Sequence, residues 1–190
     1  MLHLQDIQPD WTLFLDRDGV MNHEMNNDYV KNLGEFDMYE ESIKAIPLLN
    51  QLFNRIVIVT NQKGIGKGLM TVDDLNSIHQ SMLQQLANVG GKIDQIYFCS
   101  DLDDQSPNRK PQPGMAFQAK QSFPEIDLSK SIMVGNRMSD MKFGRNAGMY
   151  TVFLATTHPE TPFPDPHIDL RFTNLLAFTL ACKDANTSLN

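Results

Sequence analysis

The chain has 190 residues, 41% of them hydrophobic, with 16 Lys and Arg against 23 Asp and Glu and a formal charge of −7. That length makes one compact domain the expectation, and that apolar share suffices for a core. The acidic balance argues against a protein that works by gripping the phosphates of DNA or RNA, but a local group of cations can still hold a small anion. Two cysteines, Cys99 and Cys182, are too few for a disulfide framework or a four-cysteine zinc site. No apolar run approaches the ~20 residues of a membrane span, and the start MLHLQDIQPDW is unlike a secretory leader. A cytoplasmic location is therefore expected.

Residues 11–16 (WTLFLD) read as a first strand. Residues 40–53 follow as a helix that Pro47 weakens, because proline removes one backbone hydrogen bond. Residues 55–60 (RIVIVT) form a second strand. Thr71-Val72-Asp73-Asp74 is a helix start with a side-chain cap; Leu75, Ile78, Met82, Leu86 and Val89 recur at helical spacing, and Gly90-Gly91 stops the helix. A third strand at 96–99 (IYFC), a helix at 114–122 and a fourth strand at 132–135 (IMVG) come next. A helix at 139–147, closed by Gly148, precedes a fifth strand at 151–154 (TVFL). Four prolines make 156–167 an extended surface loop, and 172–182 reads as a final helix.

Near-continuous apolar strands alternating with helices predict a doubly wound α/β domain with a mainly parallel sheet. The single domain spans 1–190, with a core of about 11–156. In such folds ligands sit outside the carboxyl ends of the strands. Polar clusters fall at those ends.

Asp16-Arg17-Asp18-Gly19 closes the first strand and sets two carboxylates at one crevice. Such a pair needs positive charge nearby, and Mg²⁺, which prefers hard oxygen ligands, suits it. The same residues also suit a plain strand-to-loop turn. Thr60-Asn61-Gln62 ends the second strand with donors for a phosphoryl oxygen, or with a capping turn. Lys63-Gly64-Ile65-Gly66-Lys67-Gly68 has neither P-loop nor dinucleotide spacing and reads as a flexible cationic loop. Asn108-Arg109-Lys110-Pro111 is an anion clamp stiffened by proline, or a solvated basic pair. Asn136 and Asp140 follow the fourth strand and can reach the same crevice.

These clusters, in this order, resemble those of haloacid-dehalogenase-type phosphatases, whose D-x-D, Thr, Lys and G-D-x-x-x-D motifs map onto Asp16/Asp18, Thr60, Lys110 and Asn136/Asp140. FLDRDGVMN, the Tyr29-Val30 pair, VTNQKGIGKG and NRKPQPGM are similar to blocks of the heptose-bisphosphate and histidinol-phosphate phosphatase subgroup. The resemblance implies an α/β fold without a large cap domain. It also implies a Mg²⁺-dependent phosphatase in which Asp16 is the nucleophile and Asp18 the acid/base. Thr60 and Lys110 complete the catalytic set, and Asn61, Gln62, Lys63 and Arg109 bind substrate. Asp16, Asp18, Asn136 and Asp140 are the implied metal set.

The implied substrate is a small phosphorylated sugar, foremost a heptose 1,7-bisphosphate, with histidinol phosphate as the alternative. The implied protein is a monomer or weak dimer with no nucleic-acid or membrane partner. Two departures from the pattern stand out. The segment 99–107 is short, with one cysteine and no histidine, so no structural zinc is expected, and a more open mouth follows. Asn136 stands where the family has an Asp, which weakens metal binding and favours, as another alternative, a phosphosugar-binding module without turnover.

Overall fold

The computed structural model describes residues 1–187. Its sheet has six strands in the order β3-β2-β1-β4-β5-β6, every neighbouring pair parallel. These are β1 Thr12–Leu15, β2 Arg55–Asn61, β3 Gln95–Cys99, β4 Ser131–Gly135, β5 Tyr150–Leu154 and β6 Leu170–Phe172. The helices are α1 Glu40–Leu49, α2 Lys63–Gly66, α3 Val72–Ala87, α4 Gly114–Ser122, α5 Met138–Ala147 and α6 Leu175–Thr187. No large cap domain is inserted among the described residues.

Alternate strand residues feed two separate cores, as the pleat requires. Leu13, Leu15, Ile56, Ile58, Ile132 and Val134 pack with Ala45, Ile46 and Leu49 of α1, Met82 and Leu86 of α3, and Phe178 and Cys182 of α6. Phe14, Val57, Val59 and Met133 point the other way, onto Met115, Ala116 and Ala119 of α4 and Phe143 of α5. Both sheet faces are thus covered, which is why these strands read as continuous apolar runs. At β1 the chain order reverses: β2 and β3 lie to one side, β4 to β6 to the other. That switch point is where the first aspartate emerges.

The structure corrects several boundaries. α1 ends at Leu49 rather than at 53, two residues beyond Pro47, and Phe53 closes a turn by donating its N–H to the Leu49 carbonyl at 3.0 Å. α3 starts as read, with a capping box of Thr71 and Asp74, but stops at Ala87, leaving Val89 outside it and exposed. The glycine-rich segment after β2 begins with the helical turn α2, where Gly64 packs against Met70 and Tyr29. The stretch from 172 to 182 splits: Phe172 ends a sixth strand, and α6 begins only at Leu175. A three-residue strand carrying Arg171 at its centre has no apolar run to betray it.

Candidate active site

β1 runs into Asp16, whose N–H donates to the Val134 carbonyl at 3.0 Å and extends the ladder by one residue. The chain then turns sharply, with the N–H groups of Val20, Met21 and Asn22 all donating to the Arg17 carbonyl. Gly19 makes the turn possible at φ 80°, and a Cβ there would lie 2.0 Å from Asn136 Nδ2. The Arg17 N–H donates to Asp16 Oδ1 at 2.7 Å, and Lys110 Nζ meets the same oxygen at 2.8 Å.

Lys110 is the hub beneath Asp16. Its Nζ donates to the Val59 carbonyl at 2.8 Å and pairs with Asp140 Oδ1 at 2.8 Å, so three acceptors surround one buried ammonium. Burial alone would lower its pKa, but Asp140 and Asp16 raise it above the ordinary lysine value. Burial pushes the Asp16 carboxyl up to about 7, with Lys110 opposing and Asp140 and Asp18 adding to the rise. Asn61 holds the hub in place. Its Nδ2 donates to the Lys110 carbonyl and its Oδ1 accepts from the Lys110 N–H, both at 3.0 Å. Its amide is committed to Lys110.

Asp18 points to a different partner. Arg17, fully buried, donates through Nη2 to both Asp18 oxygens at 2.9 and 3.0 Å. Asn22 Nδ2 and Gln62 Nε2 each donate to Asp18 at 3.0 Å, and Gln62 also donates to Thr60 Oγ1 at 2.9 Å. Burial alone would raise the Asp18 carboxyl, but Arg17 and the two amides bring it below the usual range. Behind Arg17, its Nη1 lies 3.3 Å from His79 Nε2. Burial and the Arg17 charge lower the His79 pKa from 6.5 to about 4. The folded protein therefore binds fewer protons at this site than the unfolded chain between those values. Its contribution is complete above pH 6.5 and lost as pH falls toward 4, roughly 3 kcal/mol in all. Chemical denaturation from pH 7 to 4 should show this loss in the wild type and a flatter profile in His79→Gln.

After β4, Gly135 lets α5 approach closely, since a Cβ there would lie 2.2 Å from Asp140 Cβ. Asp140 Oδ2 accepts from the Arg137 N–H at 3.0 Å, while its Oδ1 faces Lys110. Asn136 is fully buried; its Nδ2 donates to Thr157 Oγ1 at 2.7 Å and to Glu24 Oε2 at 3.4 Å, and its Oδ1 has no partner. Among the described residues, no three His, Cys, Asp or Glu side chains are grouped to hold a metal ion. Asp16 presents a carboxylate to the cavity, and Asn136, packed against Gly19, holds an amide oxygen with no partner. Both are hard donors, so Mg²⁺ fits this set.

A cavity of ≈ 620 Å³ opens above Asp16, Asp18, Thr60 and Lys110. Asn61, Gln62, Lys63, Arg109 and Asp140 line it too, and Asn136 is fully buried. Tyr29, Lys63 and Arg109, from three separate segments, also line the mouth. Arg17, Asn22, Glu24, His79 and Thr157 belong to this constellation but were not singled out in the sequence. Thr156 and Thr157 follow β5, and Thr156 Oγ1 donates to the Gly19 carbonyl at 2.6 Å. The strand-end rule, carried one strand further, would have found them.

The chain is similar to known proteins. The polynucleotide kinase 3 phosphatase family model matches residues 10–160. The chain is 38% identical over 137 residues, 72% of each protein, to D-glycero-alpha-D-manno-heptose-1,7-bisphosphate 7-phosphatase of Mycobacterium bovis. It is 32% identical over 168 residues, 82% of this chain and 83% of the relative, to D-glycero-D-manno-heptose-1,7-bisphosphate 7-phosphatase of Chlorobaculum tepidum. The crystal structure of D,D-heptose 1.7-bisphosphate phosphatase from B. bronchiseptica, complexed with magnesium and phosphate, matches with a TM-score of 0.83 and 29% identity, covering 92% of this chain and 98% of that one.

Proposed function

The chain belongs to the haloacid-dehalogenase-type family of phosphatases, and on that footing we propose that it hydrolyses a small sugar phosphate, D-glycero-D-manno-heptose 1,7-bisphosphate, through a phosphoaspartate at Asp16. The observation that carries this reading is the buried Asp16–Lys110–Asp140 set at the floor of an open, polar cavity. A structural ion pair would not need an aspartate presented to a cavity.

Asp18 first takes up a proton from solvent; Asp16 then attacks phosphorus, and the bond to the sugar oxygen breaks as that oxygen receives the proton from Asp18. Water then attacks the phosphoaspartate, giving its proton back to Asp18 and releasing phosphate. Arg17 and the amides of Asn22 and Gln62 favour Asp18 as a carboxylate, the form that the water step requires. Lys110 fixes Asp16 Oδ1, orients the carboxylate and offsets its repulsion toward the incoming dianion. Thr60 and Gln62 sit beside Asp18, placed to donate to phosphoryl oxygens, and Arg109 and Lys63 stand further out for the rest of the substrate. Mg²⁺, when bound, would supply positive charge that offsets the repulsion of the Asp16 carboxylate toward the phosphoryl group. Asp16 and the Asn136 amide oxygen would hold it; Asp18 and Asp140 add negative charge nearby while engaged by Arg17 and Lys110.

The same reading places the protein in the cytoplasm, as a monomer or weak dimer. Two thiols outside any disulfide support the compartment. Among the described residues no helix is long and apolar enough to cross a membrane. The charge of −7 speaks against a polynucleotide substrate.

Phosphate release with Mg²⁺, measured on the heptose 1,7-bisphosphate, histidinol phosphate and a panel of sugar monophosphates, tests the proposal. A clear preference in kcat/KM for the heptose bisphosphate is expected. Preference for histidinol phosphate would reassign the substrate. Binding without release would favour a phosphosugar-binding module, the reading that Asn136 supports. Asn136→Asp adds a charge to the metal site and should lower the half-saturating Mg²⁺ concentration about tenfold in calorimetric titration. An unchanged value would remove Asn136 from the ligand set.

A further inference from the structure

On one wall of the cavity, cations outnumber their partners. Lys63 Nζ, from α2, and Arg109 Nε, from the β3–α4 connection, reach the same atom, Asp104 Oδ1, at 3.1 and 2.9 Å. One carboxylate thus serves two cations and leaves a net positive charge. Arg109 Nη1 is buried and has no partner at all, so half of the guanidinium fork is idle. The exposures are unequal: the Asp104 side chain is 75% exposed, Lys63 25% and Arg109 14%. The cations are built into the wall, while their anion reaches in from solvent.

Another cation of the lining is held differently. Arg137 Nη2 donates to both oxygens of Glu24, at 3.2 and 3.0 Å, and Glu24, 17% exposed, also accepts from Asn136. That group is balanced from within. A phosphate dianion offers more than Asp104 does. It carries a second charge and enough oxygens for Lys63 Nζ and Arg109 Nε at once.

We propose that Lys63 and Arg109 form the seat of the substrate's second, non-reacting phosphate, and that Asp104 is an internal stand-in anion displaced when that phosphate arrives. The inference rests on the bisphosphate reading above and deepens it. Asp104 holds the two cations in register in the free enzyme and prevents their mutual repulsion from splaying the seat. It also competes with the ligand, so a molecule carrying only the reacting phosphate leaves the stand-in where it is. Discrimination between bisphosphate and monophosphate then arises from a swap of anions.

Asp104→Asn is the direct probe, made in an Asp16→Asn background so that ligand is not consumed. Calorimetric titration compares D-glycero-D-manno-heptose 1,7-bisphosphate with the corresponding 7-phosphate, which differ only in the remote phosphate. Removal of the competitor should tighten the bisphosphate about threefold to tenfold and the 7-phosphate by less than about twofold. Asp104→Ser should give the same ordering, and both variants should keep the parent's thermal midpoint, as expected for an exposed side chain. Equal tightening of the two ligands, or unchanged or weaker bisphosphate binding, would overturn the stand-in. Failure of the wild type to release phosphate from the bisphosphate would instead overturn the phosphatase reading. The seat would then be judged on the binding constants alone.

Discussion

Asp16→Asn should lower the rate of phosphate release by at least about a thousandfold while leaving the protein folded. The amide is nearly isosteric with the carboxylate, and its oxygen can still accept the Arg17 N–H that meets Asp16 Oδ1 at 2.7 Å. Lys110 keeps the Val59 carbonyl and Asp140, each at 2.8 Å, so the hub is not orphaned. What disappears is the nucleophile, and loss of a nucleophile costs several orders of magnitude in rate. Burial raises the Asp16 pKa, which means that the fold bears a cost for keeping the ionised form there. The sign is clear. Native protein holds this proton more tightly than the unfolded chain, so ionisation of Asp16 removes stability as pH rises from about 4 to about 7. The variant should match or exceed the wild type in thermal midpoint at pH 8. A variant that is inactive and also much less stable would point to a structural role for Asp16.

Lys110→Met should be damaging in both respects. Asp16 and Asp140 are 6% and 1% exposed, and the only cation that pairs with both among the described residues is Lys110. Removing one partner of a buried charge set leaves the rest uncompensated, at a cost of roughly 3–5 kcal/mol. For a domain of this size the thermal midpoint should fall by roughly 10 °C, and phosphate release should fall with it. Lys110→Arg is expected to rescue poorly. A planar fork cannot replace a compact ammonium held among three acceptors on different elements. Calorimetric melts together with phosphate release separate the two losses. Full activity in Lys110→Met would remove Lys110 from the reaction.

Much of this site was legible because parallel strands end on one rim. Asp16, Thr60 and Asn136 each follow an apolar run rich in β-branched or aromatic residues, and the fold brings those run ends together at the β2-β1-β4 switch point. The supporting residues were not legible for a physical reason. Arg17 lies between two aspartates with nothing local to mark it as interior, yet it is fully buried, with Asp18 and His79 around it. His79 comes from the middle of α3, 62 positions away, and nothing local marks it. Glu24 and Thr157 meet Asn136 across 112 and 21 positions, contacts that no short motif encodes. Asn61 looked like a phosphate donor, but its amide is spent on the Lys110 backbone. β6 is not legible because its three residues, Leu170, Arg171 and Phe172, are only partly buried and carry no strand signature.

Rapid quenching of the enzyme with heptose 1,7-bisphosphate labelled at the 7-phosphate, followed by peptide mapping, examines the proposed chemistry at its decisive atom. Label should enter the peptide carrying Asp16 before free phosphate appears and should decay as phosphate accumulates. Product forming with no label on the protein at any time, or label on a residue other than Asp16, would contradict it.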